Sequence, residues 1–375
     1  MKGLYLAFEN FSDSSGISKK IVNQKKSLEY NGFLMELTHI KKNSDGFKFL
    51  MINDKVIINY GNGIFSKIKF YTKYNKLFYY ILNQRIVFLY IRYTHYATPF
   101  FVNFLKKLFK NKVRLFLEIP TYPYDEEYQN RGTLMKVKLF IENISRRNMA
   151  KYLEKIVTVS HHDFIWGIPT IKISNGIDFD SIIMKRKHRT FSNTLQLIGV
   201  ASIARWHGFD RLILGLAEYY KKDVNICVFF NIVSGKGDAE VIFFLKQLVE
   251  KYGLSKYVKF SGCVYGKELD CMFDESDMGI GSLGCHRIGI SDIRVLKNRE
   301  YAARGIPFCY SGNDIDFDGR PYTLNVSADE TPINIESVLT FYRNYSGFPE
   351  DIRKSVKDLI SWNYQMSKVA KEINR

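Results

Sequence analysis

Residues 194–220, TLQLIGVASIARWHGFDRLILGLAEYY, read as an apolar strand, a short polar turn and a helix. The apolar run ends abruptly in Arg205, Trp206, His207 and Gly208. A second apolar pattern starts at Phe209, with Leu212, Ile213, Leu216 and Ala217 at helical spacing. Such a junction leaves the first N–H groups of the helix unpaired at the positive end of its dipole, a setting that suits an anion such as phosphate. A solvated basic turn with Trp206 laid over a sheet edge would have the same letters, so the turn alone does not decide between the two.

The same unit recurs on both sides of this stretch. Downstream, strands are expected at 224–233, 257–261, 277–281 and 306–311, with helices at 238–252, 267–272 and 293–304. Upstream, apolar strands at 2–8, 33–40, 55–59, 86–93, 113–120 and 155–160 alternate with helices at 17–31, 98–110 and 133–153. Two successive β–α series imply an α/β protein of two Rossmann-like, doubly wound domains whose strand ends face a cleft. The expected boundaries are 1–180 for the first domain and 181–350 for the second. A helical stretch over 351–375 has the length to cross back onto the first domain.

Composition narrows the classes further. At 375 residues the chain is long enough for two domains with full cores. Five cysteines (Cys227, Cys263, Cys271, Cys285, Cys309) form no CxxC pair and fit a reducing compartment. MKGLYLAFEN runs straight into polar FSDSSG with no cleavage region, and no run of about 18 uncharged apolar residues occurs, so a cytoplasmic protein is expected. The net charge of +17 is concentrated in one half: residues 1–180 hold 28 Lys/Arg against 15 Asp/Glu, or +13, and residues 181–375 hold 27 against 23, or +4. Within 51–114 there are 12 basic residues and one acid, Asp54, and Lys alternates with Phe and Tyr in FSKIKFYTKYNKLFYYIL and FFVNFLKKLFKNKVRLF. Basic helices with an aromatic face are expected to dock on anionic membrane surfaces. A nucleic-acid surface, or solvated lysines over an aromatic core, would carry similar letters.

LIGVASIARWHGFDRLILGL, VKFSGCVYGKELDCMFDESDMGIGSLG and VLKNREYAARGIPFCYSGND follow one another in this order. Together they resemble the C-terminal half of family 4 glycosyltransferases, which have the GT-B fold. TVSHHDFIWGIPTIKISNGID looks like that family's inter-domain crossing, and LEIPTYPYDEEY and IRYTHYATP look like its members from bacterial capsule and O-antigen assembly. The resemblance implies a retaining hexosyltransferase with a nucleoside diphosphate sugar, a UDP-sugar foremost, as donor. The second domain would bind that donor. The first would bind a polyprenyl-diphosphate-linked oligosaccharide at the inner face of the cytoplasmic membrane. No cofactor and no nucleic acid enter this reading.

Each candidate residue has a chemical reason. By resemblance Glu300 accepts hydrogen bonds from the ribose hydroxyls, work suited to a carboxylate on a rigid helix. The family's Glu–x7–Glu pattern reads Asp292–x7–Glu300 here, and the shorter acid at Asp292 is a candidate catalytic residue or a helix N-terminal acid. The family places an Arg and a Lys after the strand; Ser202 and His207 stand there instead, so Arg205 and Lys297 are expected to bracket the diphosphate, with His207 beside them. Arg211, one helical step further, reads equally as a surface cation. In the first domain, Gly16 in SDSSGISKK lets the backbone approach the donor, with Ser14 and Ser15 nearby. EIPTYPYDEE brings Glu118 as a candidate catalytic carboxylate and Thr121 and Tyr122 as acceptor contacts. The bland alternative for Glu118 is a strand-end carboxylate paired with a cation such as Arg92.

Asp314-Ile315-Asp316 looks like a metal-binding pattern but follows the last strand of the second series, so it reads as a turn and no divalent metal is expected. His161-His162 lacks ligand spacing. A sugar-nucleotide epimerase of the same fold and a basic nucleic-acid-binding protein are the alternatives; the former has no use for the basic zone, and the latter leaves Glu300 unexplained.

Overall fold

The computed structural model describes the chain apart from residues 13–14, 121, 124–132, 188–192 and 236 and the side chains of 133–138. It divides into two compact units, Met1–Ser174 with Trp362–Arg375, and Asn175–Ser361.

The first unit runs β1 (Lys2–Leu6), α1 (Gly16–Tyr30), β2 (Leu34–Lys42), β3 (Lys48–Ile52), β4 (Lys55–Gly61), α2 (Gly63–Thr72), α3 (Asn75–Asn83), β5 (Phe88–Arg92), α4 (Pro99–Lys110), β6 (Arg114–Ile119), α5 (Thr133–Ala150), β7 (Lys155–Thr158), β8 (Phe164–Ile165) and β9 (Ile168–Lys172). Among the described residues these strands form one sheet in the order β4-β3-β2-β1-β5-β6-β7-β9-β8. The run from β2 to β9 is parallel, whereas β3, β4 and β8 are antiparallel edge additions. All five residues of β5 are buried, as an unbroken apolar run between two helical layers requires. A Cβ on Gly3 would fall 2.2 Å from the Phe88 ring, so the glycine makes room for the neighbouring strand's aromatic. α1 starts under a Ser15 cap, whose Oγ accepts from Ser18 N at 3.2 Å. The hairpin β3–β4 and the separate helices α2 and α3 go beyond the sequence reading. The hairpin turns at Asn53, whose φ of 50° is one that asparagine tolerates.

The second unit contains β10 (Thr194–Val200), α6 (Phe209–Tyr219), β11 (Cys227–Val233), α7 (Ala239–Lys251), β12 (Val258–Gly262), α8 (Lys267–Glu275), β13 (Met278–Ile280), α9 (Leu296–Arg304), β14 (Phe308–Ser311), β15 (Thr323–Val326), α10 (Ile335–Asn344) and α11 (Pro349–Ile360). Its sheet is parallel throughout, in the order β12-β11-β10-β13-β14-β15. The chain therefore reverses its direction of growth between β10 and β13, the point at which doubly wound sheets bind ligands. One apolar core lies under α6, α7 and α10, and another joins α9 and α11. Gly215 of α6 lets the helix meet the backbone of Ile333, where a Cβ would fall 2.0 Å from the carbonyl oxygen. Gly215→Ala should therefore separate α6 from that segment and cost about 1–3 kcal/mol. Urea unfolding followed by circular dichroism should show this loss; an unchanged midpoint would mean that the segment simply moves aside.

The C-terminal stretch differs from expectation in where it changes units. Ser361 is extended (ψ 143°) and divides it into α11 and α12 (Trp362–Asn374). α11 packs on α9, and Arg353 donates to the carbonyls of Ile182 at 3.1 Å and Ala303 at 2.5 Å, so residues up to Ser361 belong to the second unit. Only α12 lies on the first. There Lys20 Nζ is 5.6 Å from the Trp362 ring centroid, Gln365 Oε1 accepts from Ser174 N at 2.7 Å, and Arg114 donates to Glu372 O at 3.0 Å. No helix among the described residues is long and apolar enough to cross a membrane.

Candidate functional site

In the second unit, the segment after β10 and the loop after β13 leave adjacent strand ends and are tied together by their backbones. Residues Arg205–His207 form a 3₁₀ turn, and Gly208 is left-handed at φ 64°. Leu283 N donates to His207 O at 3.0 Å and Gly284 N to Trp206 O at 3.2 Å. A Cβ on Gly208 would be 2.7 Å from Gly284 N, so the close approach admits glycine alone. Arg287 closes the junction from outside, bidentate to Asp210 at 2.9 and 2.7 Å and donating to Arg205 O at 2.8 Å. Arg211 is not a surface cation. It is buried, and it donates to Thr331 O at 2.8 Å, to Ser327 O at 3.0 Å and to Leu283 O, bracing the loop from behind.

The chemistry gathers at the start of α9. Lys297 Nζ is buried, has no hydrogen-bond partner among the described residues, and lies 5.2 Å from the Phe209 ring centroid. Burial pulls its ammonium down to about 7, partly countered by the Cys285 thiol. His207 is driven down to about 2, first by burial and then by the charge of Lys297, so it is a neutral imidazole. Its Nδ1 accepts from Ala204 N at 3.0 Å, which puts the ring proton on Nε2 as a donor. Gly208 and Val295, the residues capping α6 and α9, make no side-chain cap bond, so both helix starts keep N–H groups for an outside acceptor. A buried cation without a counterion is costly, and a bound anion would remove that cost.

The other expected donor residues are placed as follows. Arg205 is exposed. Glu300, one turn beyond Lys297 on α9, is half-buried, and its Oε1 is held by Arg304 at 2.9 and 3.0 Å. Arg304 is held in turn by Asp270 at 2.8 Å, which leaves Glu300 Oε2 for another donor. Asp292 is not at the helix N-terminus, because α9 starts four residues later. Residues 291–293 instead pair with Asn313 as an extended bridge, and Asp292 is exposed with Oδ1 3.5 Å from Asn313 Nδ2. The Asp314–Asp316 turn is clamped by the buried Arg299, which donates to both carboxylates, at 2.8 Å to Asp314 Oδ1. Among the described residues no group of three His, Cys, Asp or Glu is arranged to hold a metal ion.

In the first unit, Glu118 is enclosed by its neighbours. It is 1% exposed, and four side chains share its two oxygens: Lys20 at 2.9 Å and Arg92 at 3.2 Å on Oε1, Tyr90 at 2.9 Å and Tyr5 at 3.3 Å on Oε2. Burial pushes against its charge, but the two cations and the hydroxyls hold it down at about 2. This is the strand-end ion pair with Arg92, extended by Lys20, and no oxygen is left for a substrate. Gly16 is exposed in the first turn of α1, beside the Ser15 cap; Ser14 and Thr121 lie outside the described residues. Tyr122 is half-buried and edge-on to His162, with ring centroids 4.9 Å apart.

Solved structures of similar fold match along the whole chain. Sucrose-phosphate synthase from Thermosynechococcus elongatus matches with a TM-score of 0.66 at 12% identity, over 100% of this chain and 98% of that one. Anabaena HepE in complex with UDP-glucose matches at 0.64 and 13%, over 100% and 99%. An α,α-trehalose-phosphate synthase (UDP-forming) from Burkholderia xenovorans matches at 0.64 and 9%, over 100% and 99%. The fold is GT-B. No protein-family model and no curated protein matches the sequence. In this GT-B chain, the cluster of Arg287 with Asp210 and Glu330 has no signature in the sequence, since residues so far apart leave no periodic signal.

Proposed function

We propose that the chain is a retaining glycosyltransferase that moves a hexose from a nucleoside diphosphate sugar to a lipid-linked oligosaccharide in surface polysaccharide assembly. The observation that carries the reading is the buried, unpartnered ammonium of Lys297 between two uncapped helix starts, with the Nε2–H of His207 beside it. A diphosphate supplies the charge and the acceptor oxygens that this arrangement lacks. Lys297 and Arg205 stabilise the leaving diphosphate, His207 donates one hydrogen bond, and Glu300 receives the ribose hydroxyls through Oε2. Neither a metal at the leaving group nor an enzymatic nucleophile takes part in this reaction. Asp292 stays as a candidate on the loop over the sugar. Gly16 and Tyr122 stay as donor and acceptor contacts in the first unit, whereas Glu118 is withdrawn from the chemistry. The HepE complexes with UDP and with UDP-glucose favour a UDP-sugar among the possible donors.

Calorimetric titration with UDP, GDP, ADP and several UDP-sugars tests this reading. One nucleotide should bind in the micromolar range, and Glu300→Ala should weaken it by about 10- to 100-fold, the loss of hydrogen bonds to a charged group. Absence of binding by every nucleotide would refute the donor site.

A further inference from the structure

The basic, aromatic zone of the first unit does not behave as one surface. Between Asp54 and Glu118 the chain has no acidic residue. Yet α4 buries one apolar face, Phe101, Phe104, Leu105 and Leu108, and leaves only Phe100 and Phe109 near its two ends exposed, at 56% and 54%. In α3, Leu77 and Ile81 do the same. α2 differs in that it buries no apolar residue. Its one buried residue is Ser66, at 1% exposure, while Ile64, Phe65 and Ile68 are 74%, 76% and 54% exposed.

At about 100° per residue these three side chains cover a continuous arc of about 100° on the outer face of the helix. Lys67 flanks that arc on one side and Lys69 on the other, both exposed. Ser66 and Phe70 lie on the opposite side, where Phe70 packs edge-on against Phe8 at 5.3 Å. α2 leaves the carboxyl end of β4, and Tyr71 O accepts from Thr98 Oγ1 at 3.2 Å at the start of α4, so the helix sits on the rim formed by the strand ends. An outward apolar strip with lysines along both edges is how a helix lies flat in a lipid interface, its apolar side chains among the acyl chains and its ammonium groups at the phosphates. Apolar side chains held side by side in water, rimmed by charge, are the mark of an interaction surface.

We propose that α2 is the element through which the first unit docks on an anionic lipid bilayer, Ile64, Phe65 and Ile68 inserting and Lys67 and Lys69 meeting the headgroups. The purpose of the docking rests on the lipid-linked acceptor proposed above; the docking itself does not. It would bring the strand-end rim of the first unit to the surface where such an acceptor is held.

The test is co-sedimentation of the full chain with phosphatidylcholine vesicles with and without about one-third phosphatidylglycerol, at about 0.15 M salt. The wild type should partition onto the anionic vesicles and stay largely in solution with the neutral ones. Ile64→Ser/Phe65→Ser/Ile68→Ser should lower partitioning at least tenfold, and Lys67→Gln/Lys69→Gln by about 30-fold, with melting temperature and UDP titration unchanged. Phe65→Trp should shift its emission to the blue on anionic vesicles and be quenched by brominated lipid. A wild type that ignores the vesicles, or a triple-serine variant that binds like the wild type, would overturn the proposal. So would vesicle binding that survives while the triple variant turns a sedimenting dimer into a monomer, because the strip would then join two copies of the chain. Nucleotide titration reads the donor site independently, so failure of either idea leaves the other standing.

Discussion

Lys297→Met should lower affinity for UDP at least 100-fold and at the same time raise the melting temperature of the free protein. The two effects have one cause. In the free protein the ammonium is buried without a partner, and its pKa falls from 10.5 to about 7. A lysine whose folded pKa is depressed destabilises the fold wherever it must be charged. Here that cost is full below about pH 7 and fades as pH rises toward the unfolded value. Methionine fills similar space without the charge, so the free protein gains stability at neutral pH. A diphosphate in the site reverses the balance by returning the lysine toward its ordinary range. Binding then takes up a proton above pH 7, and UDP affinity should fall by up to about tenfold per pH unit above that point. Titrations at several pH values, in buffers of different ionisation enthalpy, measure the proton directly. Affinity within threefold of wild type, or a melting temperature that drops, would remove Lys297 from the donor site. His207 cannot mimic this behaviour, because its imidazole stays neutral down to about pH 2.

The parts of the fold that were legible in the sequence are those whose order is fixed by local pattern. β5, β6 and β10 are buried on both faces, so they stand out as apolar runs, and the helices between them carry one apolar face each. α2 and α3 merged into one basic zone because Lys, Phe and Tyr alternate throughout it, and the letters do not say which aromatics face the core. The helix expected from 293 starts only at Leu296, because pairing of residues 291–293 with Asn313 holds them extended, a tertiary effect that overrides local pattern. The proposed donor site divides along the same line. The RWHG turn and the position of Lys297 can be read from the order of strand, turn and helix. The burial of the Lys297 ammonium cannot, since it depends on Phe209 and Cys285 arriving from two other segments. Glu118 misled for the mirror-image reason: a carboxylate at a strand end looks the same in sequence whether it faces a substrate or is enclosed by Lys20, Arg92 and two tyrosines.

Glu118→Ala should therefore act on stability before it acts on turnover. Removing the carboxylate leaves Lys20 and Arg92 side by side in the core with no anion between them, and Tyr5 and Tyr90 without their acceptor. Breaking a buried pair by deleting one partner costs about 3–5 kcal/mol, a large share of what holds a domain folded. Glu118→Gln should cost less, because the amide oxygen still accepts one or two of the four contacts, but it cannot neutralise two cations. The pH dependence has a definite sign. The folded pKa of about 2 lies below the ordinary value of 4.5, so this group's stabilisation is present above about pH 5 and is lost as pH falls toward 2. The wild type should lose stability in the first unit over that acid range, and Glu118→Gln should flatten the slope. Thermal unfolding between pH 3 and about 7, with circular dichroism as the probe, separates the two roles. A catalytic carboxylate would give variants of normal stability and lost turnover at every pH. A structural one gives variants whose remaining folded fraction keeps the wild-type rate of the proposed transfer, and a wild-type rate with no stability loss would refute both roles.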